Sequence, residues 1–336
     1  MIAERSLNLY EDKIRREKSF EAKISRYSKY CDFIYYKSSI NPELTLAMCI
    51  LKPARPSYIL ATTHGWHMSI EDFKEYDKPQ SEYLVVSVDM RGRAFSEGEQ
   101  DCNGWELYDI IDAVEFVKEN YSEYILDKDI VYFDAASGGG GNAYALAGKF
   151  PDYFTHVTAM CGISDYARWY ENDHVGEFRD ELDIWVGNIQ NREAYVSRSG
   201  ITFVENLCTH IAITHGELDV RVPVCHARNY VEKAIRLGKG ELVRYMEVPR
   251  VGGGDHFENI TEKQMKQMNN FIENDRSKYR KAVQIPRKGE MQIGGYLFTK
   301  EFSVILEDIN KVARVRYDLD NKEFKVIGAD TYVLNT

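Results

Sequence analysis

The sequence has 336 residues, of which 44% are hydrophobic and 29% are charged, and its formal net charge is −10 at pH 7. This composition is ordinary for a globular protein, and the length allows one large domain or a main domain with an appendage. The acidic balance argues against a nucleic-acid-binding surface, so we expect no nucleic-acid partner.

The N-terminal region carries no recognisable export signal. Its first twenty residues, MIAERSLNLYEDKIRREKSF, lack the apolar core of a signal peptide. The sequence has no apolar run long enough to span a bilayer, and its six cysteines form no C-x-x-C pair. We therefore expect a cytoplasmic protein with reduced thiols, no metal and no membrane partner, although a trimmed signal peptide would leave the same sequence.

The predicted elements begin with a charged, helical lead-in over residues 1–40, after which strands and helices alternate. Short apolar runs are separated by longer segments with helical spacing, such as 105–121. This alternation predicts parallel strands joined by right-handed crossovers, hence an α/β fold with a mostly parallel central sheet covered by helices on both faces. The predicted strands are 44–51, 57–63, 83–89, 129–135, 156–162, 210–216 and 241–248.

Two segments interrupt this alternation. Residues 163–203 are rich in aromatic and acidic side chains and predict an inserted helical cap. After the basic stretch 276–291, short alternating runs predict a small antiparallel β appendage. The predicted organisation is therefore a lead-in at 1–40, a main domain at 41–276 that contains the cap, and a C-terminal β appendage at 277–336.

Ser137 lies between a predicted strand and a predicted helix, and four glycines follow it. A sharp turn there would hold the serine in strained dihedral angles and expose its hydroxyl, as in the G-x-S-x-G elbow. This sequence reads A-A-S-G-G, which keeps the small residues that such a bend requires. The backbone N–H of Gly138 would then face a developing oxyanion at the start of the helix.

The glycine run is also compatible with a dinucleotide-binding loop or a plain turn. Gly138, Gly140 and Ala143 fit the G-x-G-x-x-A pattern of dinucleotide-binding loops, and a plain turn would also accept glycines. A dinucleotide loop normally opens the first βαβ unit, whereas several predicted strands precede this one. A phosphate-binding loop needs Gly-Lys-Ser or Gly-Lys-Thr, which is missing here. The context favours a serine nucleophile, and no cofactor is expected.

A serine nucleophile needs a base, and the base needs an acid that orients it. Asp219 follows the predicted strand 210–216, and His256 lies in a glycine-rich loop after the predicted strand 241–248. The order Ser137, Asp219, His256 is the chain order of the triad in α/β hydrolases. Because each residue follows a strand, we predict that they meet at the carboxyl edge of the sheet.

Each of these residues could also have an ordinary structural role. Asp219 could cap the helix that begins near Pro223, and His256 could be a solvated loop histidine. Glu217 and Asp255 are alternative acids, but Asp255 adjoins His256 and is poorly placed to hold the far ring nitrogen.

The loop after the predicted strand 57–63 reads His64-Gly65-Trp66-His67. In hydrolases of this type the residue after His-Gly donates its backbone N–H to the oxyanion, so Trp66 is the candidate for the second donor. Packing beneath the site would explain Trp66 equally well. Aromatic side chains here and in the cap are candidates for a substrate pocket, with ordinary cap core as the alternative. They are His67, Tyr166, Trp169, Tyr170 and Trp185.

These stretches resemble the prolyl oligopeptidase-like branch of the α/β hydrolases, including its acetyl xylan esterase-like relatives. The matching motifs are THGW, VDMRGRAFSEG, AASGGGGNA, RSGITFVENLCTHIAITHGELDVRVPV and GGGDHFE, within residues 45–275. The resemblance implies an α/β-hydrolase fold and acyl transfer to water through a serine ester. It also implies a triad and an oxyanion hole, made by Ser137, His256, Asp219, Gly138 and Trp66.

The sequence departs from the family pattern in three places. Ala135 replaces the first glycine of the elbow, and the segment before residue 45 is too short for the β-propeller of the oligopeptidases. The C-terminal β segment has no counterpart in the core family. The alanine bears on the geometry of the elbow, the gating of peptides by a propeller would be absent, and the C-terminal segment could serve assembly or shape the site.

The predicted function is a serine hydrolase, and a carboxylic-ester hydrolase is favoured. Its substrate would be a small molecule with an acyl or acetyl ester, such as a carbohydrate or another polar conjugate. The alternatives are a serine peptidase that cleaves short peptides and a catalytically silent hydrolase fold that only binds. A homo-oligomer is also compatible with the sequence. A peptidase would need acids that hold a free amine. The cap offers such acids, although a solvated face would explain them as well: Glu171, Asp173, Glu177, Asp180, Glu181 and Asp183.

Overall fold

The structure is a computed structural model that describes residues 17–18, 21–173 and 176–336. Within these ranges the first of two sheets has nine strands. In chain order they are β1 (Arg26–Tyr27), β2 (Cys31–Lys37), β3 (Thr45–Leu51), β4 (Ile59–Thr63), β5 (Leu84–Asp89), β6 (Val131–Ala136), β7 (His156–Met160), β8 (His210–Gly216) and β9 (Val243–Val248).

The strand order across this sheet is β1-β2-β3-β5-β4-β6-β7-β8-β9. The six strands from β4 to β9 pair in parallel, and β1 to β3 form an antiparallel extension that joins β5. Parallel strands are covered on both faces and therefore carry continuous apolar runs, such as Ile211, Ala212 and Ile213 of β8, which are fully buried. The predicted mostly parallel α/β sheet is confirmed.

Among the described residues, four helices pack against this sheet: α1 (Glu106–Asn120), α2 (Gly138–Lys149), α6 (Cys225–Arg236) and α7 (Glu262–Arg276). The first three share one large core cluster with the strands, whereas α7 packs Met268 and Ile272 on a separate cluster around Val248. Sequence periodicity missed α7, although Thr261 and Gln264 form a capping box at its start. Within the described residues, no helix combines the length and the apolar character needed to cross a membrane.

Three shorter helices lie between β7 and β8, inside the predicted cap: α3 (Tyr166–Asn172), α4 (Glu177–Trp185) and α5 (Arg192–Arg198). Their apolar side chains form a cluster that includes Trp66, the residue that follows His64-Gly65 in the loop after β4. The cap is therefore packed onto the same edge of the sheet at which β4 ends.

The second sheet is antiparallel and has the strand order β14-β13-β10-β11-β12-β15. It has an apolar cluster of its own around Val304 and Val315. Tyr296 joins it to the main domain, because its ring stacks on Trp105 with the ring centroids 4.8 Å apart. Its strands are β10 (Lys288–Gly294), β11 (Tyr296–Phe298), β12 (Ser303–Leu306), β13 (Val312–Asp318), β14 (Glu323–Ile327) and β15 (Tyr332–Asn335).

The predicted helical lead-in at residues 1–40 needs a correction. Residues 26–27 and 31–37 are the strands β1 and β2. Phe33 and Ile34 of β2 are buried, and the strand pairs along its whole length with β3. The charged flanks hid this apolar run in the sequence. The remainder of the prediction on residues 1–16 and 19–20 lies outside the described residues.

Candidate active site

Ser137 occupies a strained turn between β6 and α2. Its φ is 57° and its ψ is −121°, a positive φ that a non-glycine residue adopts only under constraint. A Cβ atom on Gly138 would lie 2.7 Å from the backbone nitrogen of Trp66, so only glycine allows this approach. A Cβ on Gly139 would lie only 2.8 Å from the Cβ of Ala135. Because Gly139 has no side chain, there is room for alanine at the first elbow position.

The three predicted residues of the triad are in contact. Nε2 of His256 lies 2.8 Å from Oγ of Ser137, and Nδ1 of His256 lies 2.7 Å from Oδ2 of Asp219. The other carboxylate oxygen of Asp219 accepts hydrogen bonds from the backbone N–H groups of Arg221 and Val222, each at 3.0 Å. With the Nδ1 proton held by the carboxylate, the Nε2 lone pair faces the serine hydroxyl.

The surroundings of Asp219 favour its ionised form. Burial of this carboxyl group would raise its pKa, but hydrogen bonds from His215 and His256 hold the pKa below its usual value. Asp219 is therefore a carboxylate at neutral pH and can stabilise a positive charge on the His256 ring. The two alternative acids accept hydrogen bonds from backbone N–H groups instead: Glu217 from Arg250 at 2.7 Å and Asp255 from His256 at 2.8 Å.

Sequence reasoning missed two buried groups that support Asp219. Nε2 of His215 donates to the carbonyl of Val222 at 2.7 Å and lies 3.4 Å from Oδ2 of Asp219. Burial raises the pKa of the Cys161 thiol well above its usual value, so it stays protonated beside the carboxylate. The signal for His215 was its position four residues before Asp219, at the end of β8.

Among the described residues, Cys161, His215 and Asp219 place their ligand atoms within 4.8 Å of one another. Metal binding would need a free lone pair on His215 and a thiolate on Cys161. Here the Nε2 proton of His215 faces the Val222 carbonyl, Nδ1 of His215 has no hydrogen-bond partner within the described part of the chain, and burial raises the pKa of the Cys161 thiol. The N–H of His215 and the thiol of Cys161 thus form the immediate surroundings of the Asp219 carboxylate.

The loop that carries Trp66 is fixed by His64. Nδ1 of His64 donates to the carbonyl of Gly65 at 2.9 Å, and Nε2 accepts the backbone N–H of Met90 at 3.1 Å. Burial lowers the pKa of His64 to about 3, so the ring is neutral at physiological pH and keeps both hydrogen bonds. The turn brings the backbone of Trp66 against Gly138, which places both predicted oxyanion donors beside Ser137.

The residues predicted for a substrate pocket divide into two groups. Tyr166 and Trp169 are only 1% and 2% exposed and pack with the Trp66 ring, so they belong to the cap core and do not face an open pocket. The other three are partly exposed, and their role in a pocket stays a prediction. They are His67, Tyr170 and Trp185.

Two buried acids of the cap are bound by other groups of the protein. Asp173 accepts backbone N–H groups at the start of α4, from Phe178 at 2.7 Å and Arg179 at 2.9 Å. Glu181 is buried and accepts the indole N–H of Trp66, a contact that no local sequence pattern signals. Both carboxylates thus have partners within the protein.

A mostly parallel sheet with helical crossovers, and a serine on a strained turn between a strand and a helix, define an α/β hydrolase. The family model described as "Prolyl oligopeptidase family" matches residues 80–276, which is more than half of the chain. The chain belongs to the prolyl oligopeptidase family, and the resemblance seen in the sequence motifs is confirmed.

Relatives include both esterases and peptidases. "Probable carboxylic ester hydrolase LipM" from Mycobacterium tuberculosis is 26% identical over 163 residues, covering 44% of this chain and 38% of LipM. The acylaminoacyl peptidase of Pyrococcus horikoshii has a TM-score of 0.59 at 18% identity, covering 81% of this chain and 44% of that one. The Pyrococcus furiosus esterase Pf2001 has a TM-score of 0.52 at 12% identity, covering 79% and 93%.

The chain spans less than half the length of LipM and of the acylaminoacyl peptidase. At 12% and 18% identity, the solved structures share their fold with this chain. The hydrolase class is therefore established at the level of the family, whose relatives carry the names of both ester and peptide hydrolases.

Proposed function

We propose that the protein is a serine hydrolase that cleaves carboxylic esters of small molecules. The observation that carries this proposal is the continuous chain of contacts from Ser137 through His256 to Asp219, at 2.8 Å and 2.7 Å. A hydroxyl, an imidazole and an ionised carboxylate in this order make a nucleophile, its general base and the group that orients the base.

In the first half of the reaction, Oγ of Ser137 attacks the acyl carbon while Nε2 of His256 accepts the hydroxyl proton. Asp219 stabilises the imidazolium that forms. The backbone N–H groups of Gly138 and Trp66 hold the oxyanion of the tetrahedral intermediate. When the intermediate collapses, His256 returns the proton to the leaving alcohol, and an acyl group remains on the serine.

In the second half, water attacks the acyl carbon and His256 again acts as the general base. The second tetrahedral intermediate uses the same two backbone donors, and its collapse releases the carboxylic acid and restores the hydroxyl of Ser137. The complete cycle consumes one ester and one water molecule and releases an alcohol and a carboxylic acid.

Two observations support an ester substrate over a peptide with a free amine. Asp173 is occupied by backbone N–H groups of α4, and Glu181 is buried against Trp66. Glu171 and Asp183 are bound by Arg192 and Tyr170, so these four carboxylates already have partners. The names of LipM and Pf2001 also describe ester hydrolysis. A peptidase stays the second candidate, because the acylaminoacyl peptidase shares the fold.

The test uses a fluorophosphonate probe that forms a covalent adduct with an activated serine. We expect labelling of the wild type and of Ser122→Ala, a variant of an exposed serine, and no labelling of Ser137→Ala. Turnover of p-nitrophenyl esters should disappear in Ser137→Ala and exceed turnover of aminoacyl anilides in the wild type. Undiminished labelling or turnover in Ser137→Ala would remove the basis of the proposal, and faster anilide cleavage would favour the peptidase.

A further inference from the structure

The carboxylate of Glu181 links the cap to the loop that carries a proposed oxyanion donor. Glu181 lies on α4, and its side chain is 1% exposed. Its Oε2 accepts the indole N–H of Trp66 at 2.5 Å, and Nε2 of His67 lies 2.9 and 2.8 Å from the two oxygens. Two consecutive loop residues therefore bind one cap carboxylate.

A carboxylate buried to this extent is costly unless donors replace its lost water. Trp66 and His67 supply these donors, and both belong to the loop after β4, not to the cap. The buried carboxylate of Glu181 therefore has these hydrogen-bond donors only while α4 is packed on this loop. In turn, the indole N–H of Trp66 has its acceptor only in that packed state.

The ring of Trp66 is bonded to the backbone that carries the proposed donor, so contacts on the ring restrain that backbone. Apolar contacts with Trp169, Phe178 and Trp185 hold the ring, with the centroids 4.8, 6.5 and 5.5 Å away. Glu181 adds a directional hydrogen bond at the indole nitrogen, which apolar packing cannot supply. Because the Trp66 nitrogen lies against Gly138, a small rotation of the residue would move its N–H relative to the oxyanion.

We propose that Glu181 is a positioning residue that aligns the backbone N–H of Trp66 for the oxyanion and makes this alignment depend on the packed cap. The inference rests on the proposed function, because it assigns the Trp66 N–H to a tetrahedral intermediate. Glu181 acts through Trp66 and takes no part in proton transfer. The oxyanion hole is thus complete when α4 is in place.

The test compares an ester with its thiono analogue, in which sulfur replaces the carbonyl oxygen. Sulfur is a weak hydrogen-bond acceptor, so a misaligned oxyanion donor slows the oxygen ester far more than the thiono ester. A general loss of structure slows both equally. The ratio of the two kcat values therefore reports on the oxyanion hole and not on folding.

Glu181→Leu should lower kcat for the oxygen ester on the order of tenfold, with the thiono ester and KM nearly unchanged. Trp66→Phe keeps the backbone N–H but deletes the indole donor, so it should have the same effect. It tests the same contact in case Glu181→Leu does not fold. Glu181→Gln keeps an acceptor oxygen and should recover most of the ratio. Asp183→Asn, on the same helix, removes a carboxylate bound by Tyr170 and should leave the ratio unchanged.

The proposal is overturned if both Glu181→Leu and Trp66→Phe lower the two rates equally, change only KM, or leave the ratio at the wild-type value. Fluorophosphonate labelling of Ser137 separates this failure from a failure of the proposed function. A labelled wild type with an unchanged ratio rejects only the positioning role. A wild type that the probe does not label rejects the proposed function and the positioning role with it.

Discussion

The two sheets of this protein differ in where they place polar side chains. The first sheet is mostly parallel, so the carboxyl ends of its parallel strands meet at one edge, and the loops there bring Ser137, Asp219 and His256 together. The second sheet is antiparallel, so consecutive strands end at opposite edges, and its salt bridges, such as Lys288–Asp318, join neighbouring strands at the surface. Parallel pairing thus brings reactive side chains from distant parts of the sequence to one edge of the sheet.

The difference predicts that variants at the carboxyl edge of the first sheet change the rate, whereas variants of the second sheet change stability alone. Variants of the proposed triad test this expectation most strictly. Two other acids, Glu217 and Asp255, lie close in sequence to the triad and serve as controls.

Asp219→Asn should lower kcat by about a thousandfold to ten-thousandfold. The amide keeps the volume of the side chain but loses the charge that stabilises the imidazolium and the acceptor that selects the Nδ1–H tautomer. Steady-state kinetics with a p-nitrophenyl ester measures the effect.

The matched controls are Glu217→Gln and Asp255→Asn, which replace acids bound to backbone N–H groups of Arg250 and His256. Both should retain activity within a few-fold of the wild type, an order-of-magnitude expectation for residues outside the reacting group. A large loss in either control together with an active Asp219→Asn would assign the acid to another residue.

Much of the first sheet could be predicted from sequence because burial leaves a local pattern. The parallel strands are continuous apolar runs, and Ser137, Asp219 and His256 follow strands in the order of the family. The sequence did not predict β2, because charged residues flank it. It did not predict α7 either, because most of the residues of this helix are polar and exposed. In both cases the burial that stabilises the element comes from distant partners.

The contacts that shape the cap could not be predicted in the same way. Six acids of the cap look alike in the sequence, yet Glu181 is the one bound by the indole of Trp66, which lies 115 residues earlier. Tyr166 and Trp169 fit a pocket or a core equally well by sequence, and packing places them in the core. Which side chain is buried depends on the docking of the cap, which local periodicity does not encode.

The loop with His64 should make stability depend on pH. The pKa of His64 is lowered by burial from 6.5 to about 3, so between these pH values the unfolded chain binds a proton that the folded chain does not. Stability therefore falls as the pH is lowered through this window, by at most about 1.4 kcal/mol per pH unit from this residue. His226 is buried with a similarly lowered pKa and adds in the same direction.

Urea unfolding at pH 7 and pH 5 measures this dependence. His64→Gln can keep a donor for Gly65 and an acceptor for Met90, but it binds no proton when unfolded. The difference in unfolding free energy between the two pH values should therefore shrink by about 2 kcal/mol relative to the wild type. An identical difference in wild type and variant would show that His64 titrates alike in both states.

The smallest expected effect lies at the junction of the two sheets. The hydroxyl of Tyr296 donates to the carbonyl of Gly104 at 2.6 Å in a fully buried position, just before α1 begins. Tyr296→Phe should lower the free energy of unfolding by about 1 kcal/mol, because the carbonyl loses its partner. Tyr332→Phe, on the exposed edge strand β15, should change it by less than about 0.5 kcal/mol.

Neither tyrosine variant should alter kcat, since the hydroxyl of Tyr296 acts on α1 and not on the loops that hold the proposed triad. A fall in kcat for Tyr296→Phe that exceeds the change in Tyr332→Phe would contradict the division between the two sheets. The second sheet would then act on the site through Gly104 and α1, and its antiparallel strands would belong to the functional unit even though they contribute no side chain to the chemistry.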